Sequence, residues 1–193
     1  MVSSIMATMT ETNKKFINLS KLDVAKRELE HAIKLFFNHG DFVIIHLSVC
    51  AAEEILSGIG KSSHITSMKS EMGKYIKPEK LEYVQKKLNE PYNFFKHANN
   101  DPDKLLAFNP ESSEFNIWDS INMYQELTSE ITGIMSAFRI WFNIKHKDIL
   151  IGPTSEEVES FKKAVEGISL EDRGFFLEAA DKLESQRTTG NKS

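Results

Sequence analysis

One apolar stretch, FVIIHLSVCAA at residues 42–52, decides the fold of this chain. Its β-branched residues would also suit a strand, but apolar and polar residues do not alternate and no second strand candidate is present. Asp41 can cap a helix, and the stretch is apolar nearly all round for two turns, which is typical of a central helix in a bundle. We predict a helix from Phe42 to about Leu56.

The chain before this stretch predicts another long helix. Ser20 is a good N-cap, and Asp23 three residues later completes a capping box. Apolar residues then recur at helical spacing until Gly40, and glycine commonly follows the end of a helix. We predict this helix from about Lys21 to Asn38.

The middle of the chain predicts shorter elements. Residues 61–77 are polar and indicate a short helix or an irregular crossover. Proline is tolerated in the first turn of a helix, so a helix is expected from Pro78 onwards. Pro91 either kinks this helix or begins a new turn, and helix is expected again over residues 92–99.

The longest apolar pattern predicts one helix from about Phe115 to Lys147. At 1.5 Å per residue such a helix would span about 45–50 Å, which is long for a domain of this size. We expect it either to break near Gly133 or to project into a partner. Gly152 and Pro153 then mark the best boundary in the chain.

Two more helices are expected beyond that boundary. A capping box from Thr154 to Glu157 begins the first, and the second runs from about Leu170 to Glu184. With only 9 Gly and 5 Pro in 193 residues, the composition also favours helices. We therefore predict an all-α protein with four regions, which are a flexible N-terminus at residues 1–18, a bundle of four to five helices at 19–150, a C-terminal helical hairpin at 153–185 and a disordered tail at 186–193.

The composition excludes several classes of protein. The chain has 24 basic and 28 acidic residues, and this net charge of −4 argues against bulk binding of nucleic acid. Cys50 is the single cysteine, so an internal disulfide is excluded. The start of the chain does not resemble a signal peptide, and the apolar run at residues 42–52 is shorter than the roughly 20 residues that a membrane span needs. We predict a cytoplasmic protein without a membrane partner.

Three patterns resemble known sites without completing them. A single Glu-x-x-His pair is present, whereas a di-iron bundle uses two. His46, Cys50 and Glu54 share a helix face that could hold a metal, although such groups are more often a packed histidine, a buried inert thiol and a capping carboxylate. SGIGKS at residues 57–62 lacks the first glycine of a P-loop and follows a helix, not a strand. We predict no metal and no cofactor.

The strongest site candidate is PYNFFKHA at residues 91–98. On a helix, Asn93 and His97 lie one turn apart, and so do Tyr92 and Lys96. A histidine that titrates near neutrality, an amide that orients a phosphate oxygen and a cation that offsets developing charge are what metal-free RNA cleavage requires. The alternative is that Asn93 and His97 only bind the backbone of the following loop.

A local excess of positive charge accompanies this segment. Residues 61–97 contain eight Lys and four Glu, a charge of +4 that leaves −8 for the rest of the chain. Such a strip can hold phosphates, and tyrosines within it can stack on bases, although lysine-rich faces are more often merely solvated. The predicted ligand-binding residues are Tyr92, Lys96, Lys86 and Lys87.

Together these features resemble the HEPN superfamily of all-α domains associated with nucleotides and RNA. Its active members carry Arg, then Asn, Asp or His, then a short spacer and His. Asn93 and His97 match this pattern, whereas Tyr92 stands at the Arg position. AAEEIL at residues 51–56 also resembles the second helix of many such proteins, and the resemblance covers roughly residues 20–147.

The resemblance implies a domain that binds RNA or nucleotide, with Asn93 and His97 as the catalytic residues of a metal-independent ribonuclease. Weak or absent cleavage is expected, because tyrosine cannot supply the charge of an arginine and Lys96 replaces it only in part. Domains of this family commonly form symmetric dimers. A homodimer is therefore expected, and large apolar residues of the long helix could form its interface, namely Trp118, Phe138, Trp141 and Phe142.

A different class of function stays open. The chain could be a non-catalytic helical module that binds a protein partner through its C-terminal hairpin. A metal-containing helical bundle is the third option.

Overall fold

The computed structural model describes residues 16–71, 77–97, 102–146 and 169–190, together with residues 163, 166 and 167. These residues form helices and no strand, which confirms the predicted all-α class. The helices are α1 (Lys21–Phe37), α2 (Phe42–Gly60), α3 (Met68–Glu71), α4 (Pro78–Lys96), α5 (Ser112–Thr128), α6 (Gly133–Lys145) and α7 (Arg173–Gly190). This count exceeds the predicted four to five, partly because a short helix lies in the expected crossover.

The first two helices begin at the predicted caps. The Ser20 hydroxyl accepts a hydrogen bond from the Asp23 amide at 3.0 Å, and the Asp23 carboxylate accepts one from the Ser20 amide at 2.9 Å. The Asp41 carboxylate accepts a hydrogen bond from the Val43 amide at 2.8 Å. These bonds satisfy backbone donors that have no partner within the helix.

Helix α2 is central and longer than predicted. It packs against α1, α5 and α4, and its core side chains are fully buried. Phe42–Ser63, which is α2 with the turn that follows it, is long and apolar enough by length and composition to cross a membrane, with a mean hydropathy of 1.7. The core helix of a soluble protein passes the same test.

The helix predicted from Phe115 to Lys147 is two helices, α5 and α6. The chain leaves α5 at Ser129, which has a left-handed backbone with φ of 59°. The Thr128 hydroxyl accepts the Glu130 amide at 3.1 Å and stabilises this turn. The expected break therefore occurs, four residues before Gly133, while Lys147 lies outside the described residues.

The four aromatic residues proposed for a dimer interface lie within the protomer. Phe138, Trp141 and Phe142 are at most 2% exposed, and Trp118 stacks on Phe142 with 5.4 Å between ring centres. The prediction of an exposed interface is wrong for Phe138, Trp141 and Phe142, because folding α6 back against α1 and α5 buries them in the core, whereas Trp118 on α5 is partly buried.

Helix α7 corresponds to the second helix of the predicted hairpin and packs on the bundle. Phe176 stacks on Phe37 at 5.7 Å, and the Arg173 guanidinium lies 4.1 Å from the Phe36 ring centre. The helix continues through the first part of the predicted tail to Gly190, and Arg187 donates to the Ser136 hydroxyl at 3.2 Å. The first helix of the hairpin and the boundary at residues 152–153 lie outside the described residues, as do residues 1–15 and 191–193.

Helices α6 and α7 approach so closely at Gly133 that a side chain does not fit there. A Cβ atom at this position would lie 2.3 Å from the Ala180 carbonyl oxygen and 2.9 Å from the Glu184 amide nitrogen. Both neighbours are backbone atoms, which cannot move aside as a flexible side chain does. The Gly133 amide also donates to the Glu184 carboxylate at 2.6 Å.

We predict that Gly133→Ala lowers the free energy of unfolding by roughly 2–4 kcal/mol, because it forces α6 and α7 apart. Gly58→Ala is the matched control, since a Cβ atom there meets no atom within 4 Å. Alanine is also the better helix former, so this control should gain about 0.5–1 kcal/mol. Urea unfolding measures both changes, and equal stability of the two variants contradicts the prediction.

Candidate functional site

The predicted Asn93 and His97 lie at the C-terminal end of α4. The helix runs through Pro91 without ending and stops at Lys96. His97 is the first residue beyond it, with extended backbone, and its amide donates to the Asn93 carbonyl oxygen at 3.0 Å. Both side chains are exposed. The structure thus keeps the two residues close along the chain and accessible, but the helix ends at Lys96, three residues before the predicted end at residue 99, so His97 lies outside it.

Tyr92 and Lys96 do come together, and they do so around Glu54 of α2. The Lys96 ammonium lies 3.6 Å from the Tyr92 ring centre and 3.9 Å from a Glu54 carboxylate oxygen. The Tyr92 hydroxyl donates to the same carboxylate at 3.4 Å. Burial and the nearby Glu54 charge raise the pKa of Tyr92 to about 12, so the phenol stays neutral.

The other lysines of the predicted positive strip are partly neutralised. Lys87 donates to Glu90 at 2.9 Å, and Lys104 donates to the other oxygen of Glu90 at 3.0 Å. These hydrogen bonds lower the pKa of Glu90 to about 2. Lys86 is exposed, and Lys69 is bound to Glu53 at 2.8 Å.

A polar groove of about 470 Å³ lies between α2 and α4, and we call it the α2–α4 groove. Its α2 wall includes part of the segment that resembles an incomplete P-loop. The lining residues are Glu53, Glu54, Ser57, Gly58, Lys61, Ser67, Lys69, Ser70, Gln85, Leu88 and Asn89. Glu54, which binds Tyr92 and Lys96, joins this groove to the predicted site.

A second cavity, of about 540 Å³ and mostly apolar, lies beside the groove and shares Lys69 and Leu88 with it. We call it the α5 cavity, because α5 presents four residues to it at positions i, i+3, i+4 and i+7. Those four residues are Ser112, Phe115, Asn116 and Asp119. This cavity was not predicted from the sequence, although the polar stripe with one aromatic residue on α5 is a signal that could have indicated it.

His46 borders the α5 cavity and belongs to a buried network. Its Nδ1 lies 3.0 Å from the Ser113 hydroxyl and its Nε2 lies 3.6 Å from the Cys50 sulfur. The Asn116 amide donates to the same sulfur at 3.3 Å. The distances fit a neutral histidine that donates from Nδ1 and accepts the thiol proton at Nε2.

Burial keeps both members of the Cys–His pair neutral. It lowers the pKa of His46 to about 4 and raises the pKa of Cys50 to about 11. A thiolate nucleophile needs the opposite shifts. Glu54, the third residue of the helix face considered as a metal site, instead contacts Tyr92 and Lys96, and the described part of the chain contains no group of three or more potential metal ligands.

Asp119 is the most unusual acid in the α5 cavity, since only 7% of it is exposed. One carboxylate oxygen, Oδ2, accepts the Met68 amide at 2.9 Å. Burial raises the pKa of Asp119 to about 6; the charges of Glu53 and Glu126 act in the same direction, whereas Lys69 and the Met68 amide oppose them. The carboxylate is therefore mostly ionised at neutral pH despite its burial.

Comparisons of the chain with family models, with curated proteins and with solved structures find no match. The resemblance to the HEPN superfamily consequently depends on the segments at residues 51–61 and 91–98.

We predict that Asp119→Asn stabilises the protein at pH 7–8 by roughly 1–3 kcal/mol, because it removes a desolvated charge and keeps an acceptor for the Met68 amide. The pKa of Asp119 is higher in the folded than in the unfolded chain, so the wild type gains stability as the pH falls from about 6 to 4. The advantage of the variant should shrink over the same range.

Thermal unfolding at pH 8, 6 and 4 measures this effect. Glu126→Gln, an exposed acid on the same helix, is the control and should change stability by less than about 0.5 kcal/mol. A destabilised Asp119→Asn variant at pH 8 would refute the assignment of a buried, poorly compensated charge.

Proposed function

We propose that the chain is a HEPN-like helical domain that binds RNA or nucleotide at the C-terminal end of α4. The observation that carries this proposal is the exposure of both Asn93 and His97 at the end of α4, the helix whose Gln85 and Asn89 line the α2–α4 groove. An imidazole and an amide in this position can reach a phosphate or a base without any rearrangement of the core.

A row of polar side chains along α4 supports the same proposal. Gln85, Asn89 and Asn93 follow one another at intervals of four residues on α4, His97 follows directly after the helix, and all four are exposed. On a helix this interval places residues on one face. Gln85 and Asn89 also line the groove, where Lys61 supplies a cation. From Gln85 to Asn93 the row offers hydrogen-bond donors and acceptors along roughly 12 Å of helix, at 1.5 Å per residue.

Binding with little or no cleavage is the form of activity that we propose. A metal-free ribonuclease needs a cation to offset the charge that develops on the phosphate. Lys96, the substitute for the absent arginine, is held between the Tyr92 ring and the Glu54 carboxylate. This ion pair is partly exposed and therefore weak, so a bound phosphate can compete for Lys96.

We expect His97→Ala and Asn93→Ala each to weaken binding of single-stranded RNA about 5–10-fold, since each removes a hydrogen-bonding group worth about 1–1.4 kcal/mol. Fluorescence anisotropy with a labelled oligonucleotide measures the affinity. His39→Asn is the control, because His39 lies at the other end of α2 and its left-handed backbone tolerates asparagine. Unchanged affinity in both α4 variants rejects this site.

Protein–protein association is a second candidate function, supported by an exposed apolar patch at the start of α2. Phe42, Val43 and Ile44 are 43%, 38% and 45% exposed. Three consecutive large apolar residues on a surface are costly unless a partner covers them. A second copy of the chain is the occupant that we propose, in keeping with the dimers common among HEPN domains.

We predict that the protein elutes as a dimer at micromolar concentration and that Val43→Glu shifts it to the monomer. An acidic residue in the first turn of a helix is favourable, so this substitution should not unfold α2. Ile17→Glu, which changes an exposed residue outside the helices, should leave the dimer intact. Light scattering coupled to size exclusion distinguishes the two states, and a monomeric wild type overturns the proposal.

A further inference from the structure

The α5 cavity plays no part in the RNA binding proposed above, yet it contains a largely buried carboxylate, Asp119, of which one oxygen has no protein donor among the described residues. Asp119 uses Oδ2 for the Met68 amide, and among the described residues no hydrogen-bond donor reaches Oδ1. A buried charge normally has partners, because removing it from water costs several kcal/mol. This carboxylate can therefore accept a hydrogen bond from a ligand within the cavity.

Asn116, one helical turn before Asp119, adds a second acceptor to the same wall. Its amide nitrogen is used by the Cys50 sulfur, and no donor from the described part of the chain reaches its Oδ1. The Asn116 side chain is thereby oriented as an acceptor towards the cavity, where it and Asp119 stand at i and i+3. A ligand that suits this wall must donate hydrogen bonds.

The charged groups around Asp119 favour a ligand with a positive charge. Lys69 is the nearest cation, but its ammonium is bound to Glu53 at 2.8 Å. When Asp119 and Glu53 are ionised, they carry two negative charges against the single positive charge of Lys69. At the rim, Glu90 binds both Lys87 and Lys104, so these three groups together carry one net positive charge and Asp119 lies outside their contacts. A cation compensates the inner wall, whereas an anion would add a second uncompensated charge.

The remaining surface of the cavity accepts an apolar body. Leu88, Pro91, Leu106 and Phe115 line it, and the volume of about 540 Å³ lies within the usual range of small-molecule sites. The contact between Glu90 and Lys104 joins α4 to the segment before α5. The cavity is thus apolar over most of its surface and polar at one end.

We propose that the α5 cavity binds a small organic amine, whose ammonium group donates hydrogen bonds to Asp119 Oδ1 and Asn116 Oδ1 while its apolar body packs against Phe115 and Leu88. The ammonium replaces the water that Asp119 loses on folding. This assignment also explains why a destabilising carboxylate is retained in an otherwise apolar cavity, since binding sites often sacrifice stability for function. The proposal does not depend on RNA binding.

Titration of the full chain with 1-naphthylmethylamine tests the proposal, with 1-naphthalenemethanol and 1-naphthoate as isosteres of different charge. Chemical-shift changes in the protein NMR spectrum measure the affinities. For a ligand of this size we expect a Kd of roughly 0.1–1 mM for the amine. The alcohol should bind at least about 10-fold more weakly, and the carboxylate should not bind.

Three variants locate the site. Asp119→Asn should weaken binding of the amine at least about 10-fold and leave the affinity for the alcohol unchanged, because it removes only the charge. Glu126→Gln should change neither ligand. Ala107→Trp places a large side chain at an exposed residue of the cavity lining, so it fills part of the cavity without disturbing the core. It should weaken the binding of both the amine and the alcohol.

Three outcomes overturn the proposal. The first is no binding of the amine to the wild type. The second is equal affinity for the amine and the alcohol, which would show an apolar cavity without recognition of charge. The third is amine binding that Asp119→Asn or Ala107→Trp leaves unchanged, which would place the ligand elsewhere.

Discussion

An apolar helix that also carries buried polar side chains is the constraint on which this structure depends. Helix α2 must be covered on most sides, yet His46 and Glu53 lie at its buried face. Each of them requires a polar partner from another element. His46 finds Ser113 on α5, and Glu53 finds Lys69 on α3. These two pairings set how α5 and α3 approach α2, and the α5 cavity is the space left between them.

Helix α4 is held differently from the rest of the bundle. Tyr92 is its only buried residue, and its links to the bundle include the Tyr92–Glu54 hydrogen bond and the Lys96–Glu54 ion pair. A helix that buries so little apolar surface cannot close tightly against its neighbours. This is why a groove lies on one side of α4 and a cavity on the other. Both proposed binding sites follow from the same loose packing.

The helix caps, which depend on neighbouring residues, could be predicted from the sequence. Contacts between residues far apart in the chain could not. The caps at Ser20 and Asp41 were predictable, because each acts within three residues. The apolar pattern continued across residues 129–132, where a left-handed serine breaks the helix, so periodicity could not place the break between α5 and α6. The partner of Lys96 lies 42 positions earlier in the chain at Glu54, a pairing that no spacing rule contains.

The buried thiol of Cys50 has a practical consequence. Because its proton is retained and its sulfur is enclosed, a thiol reagent can react only when α2 separates from α5. With a single cysteine in the chain, the labelling rate of the unmodified protein reports how often that separation occurs. Cys50 lies 3.3 Å from Asn116, which lines the α5 cavity, so its labelling reports the opening of the core beside that cavity.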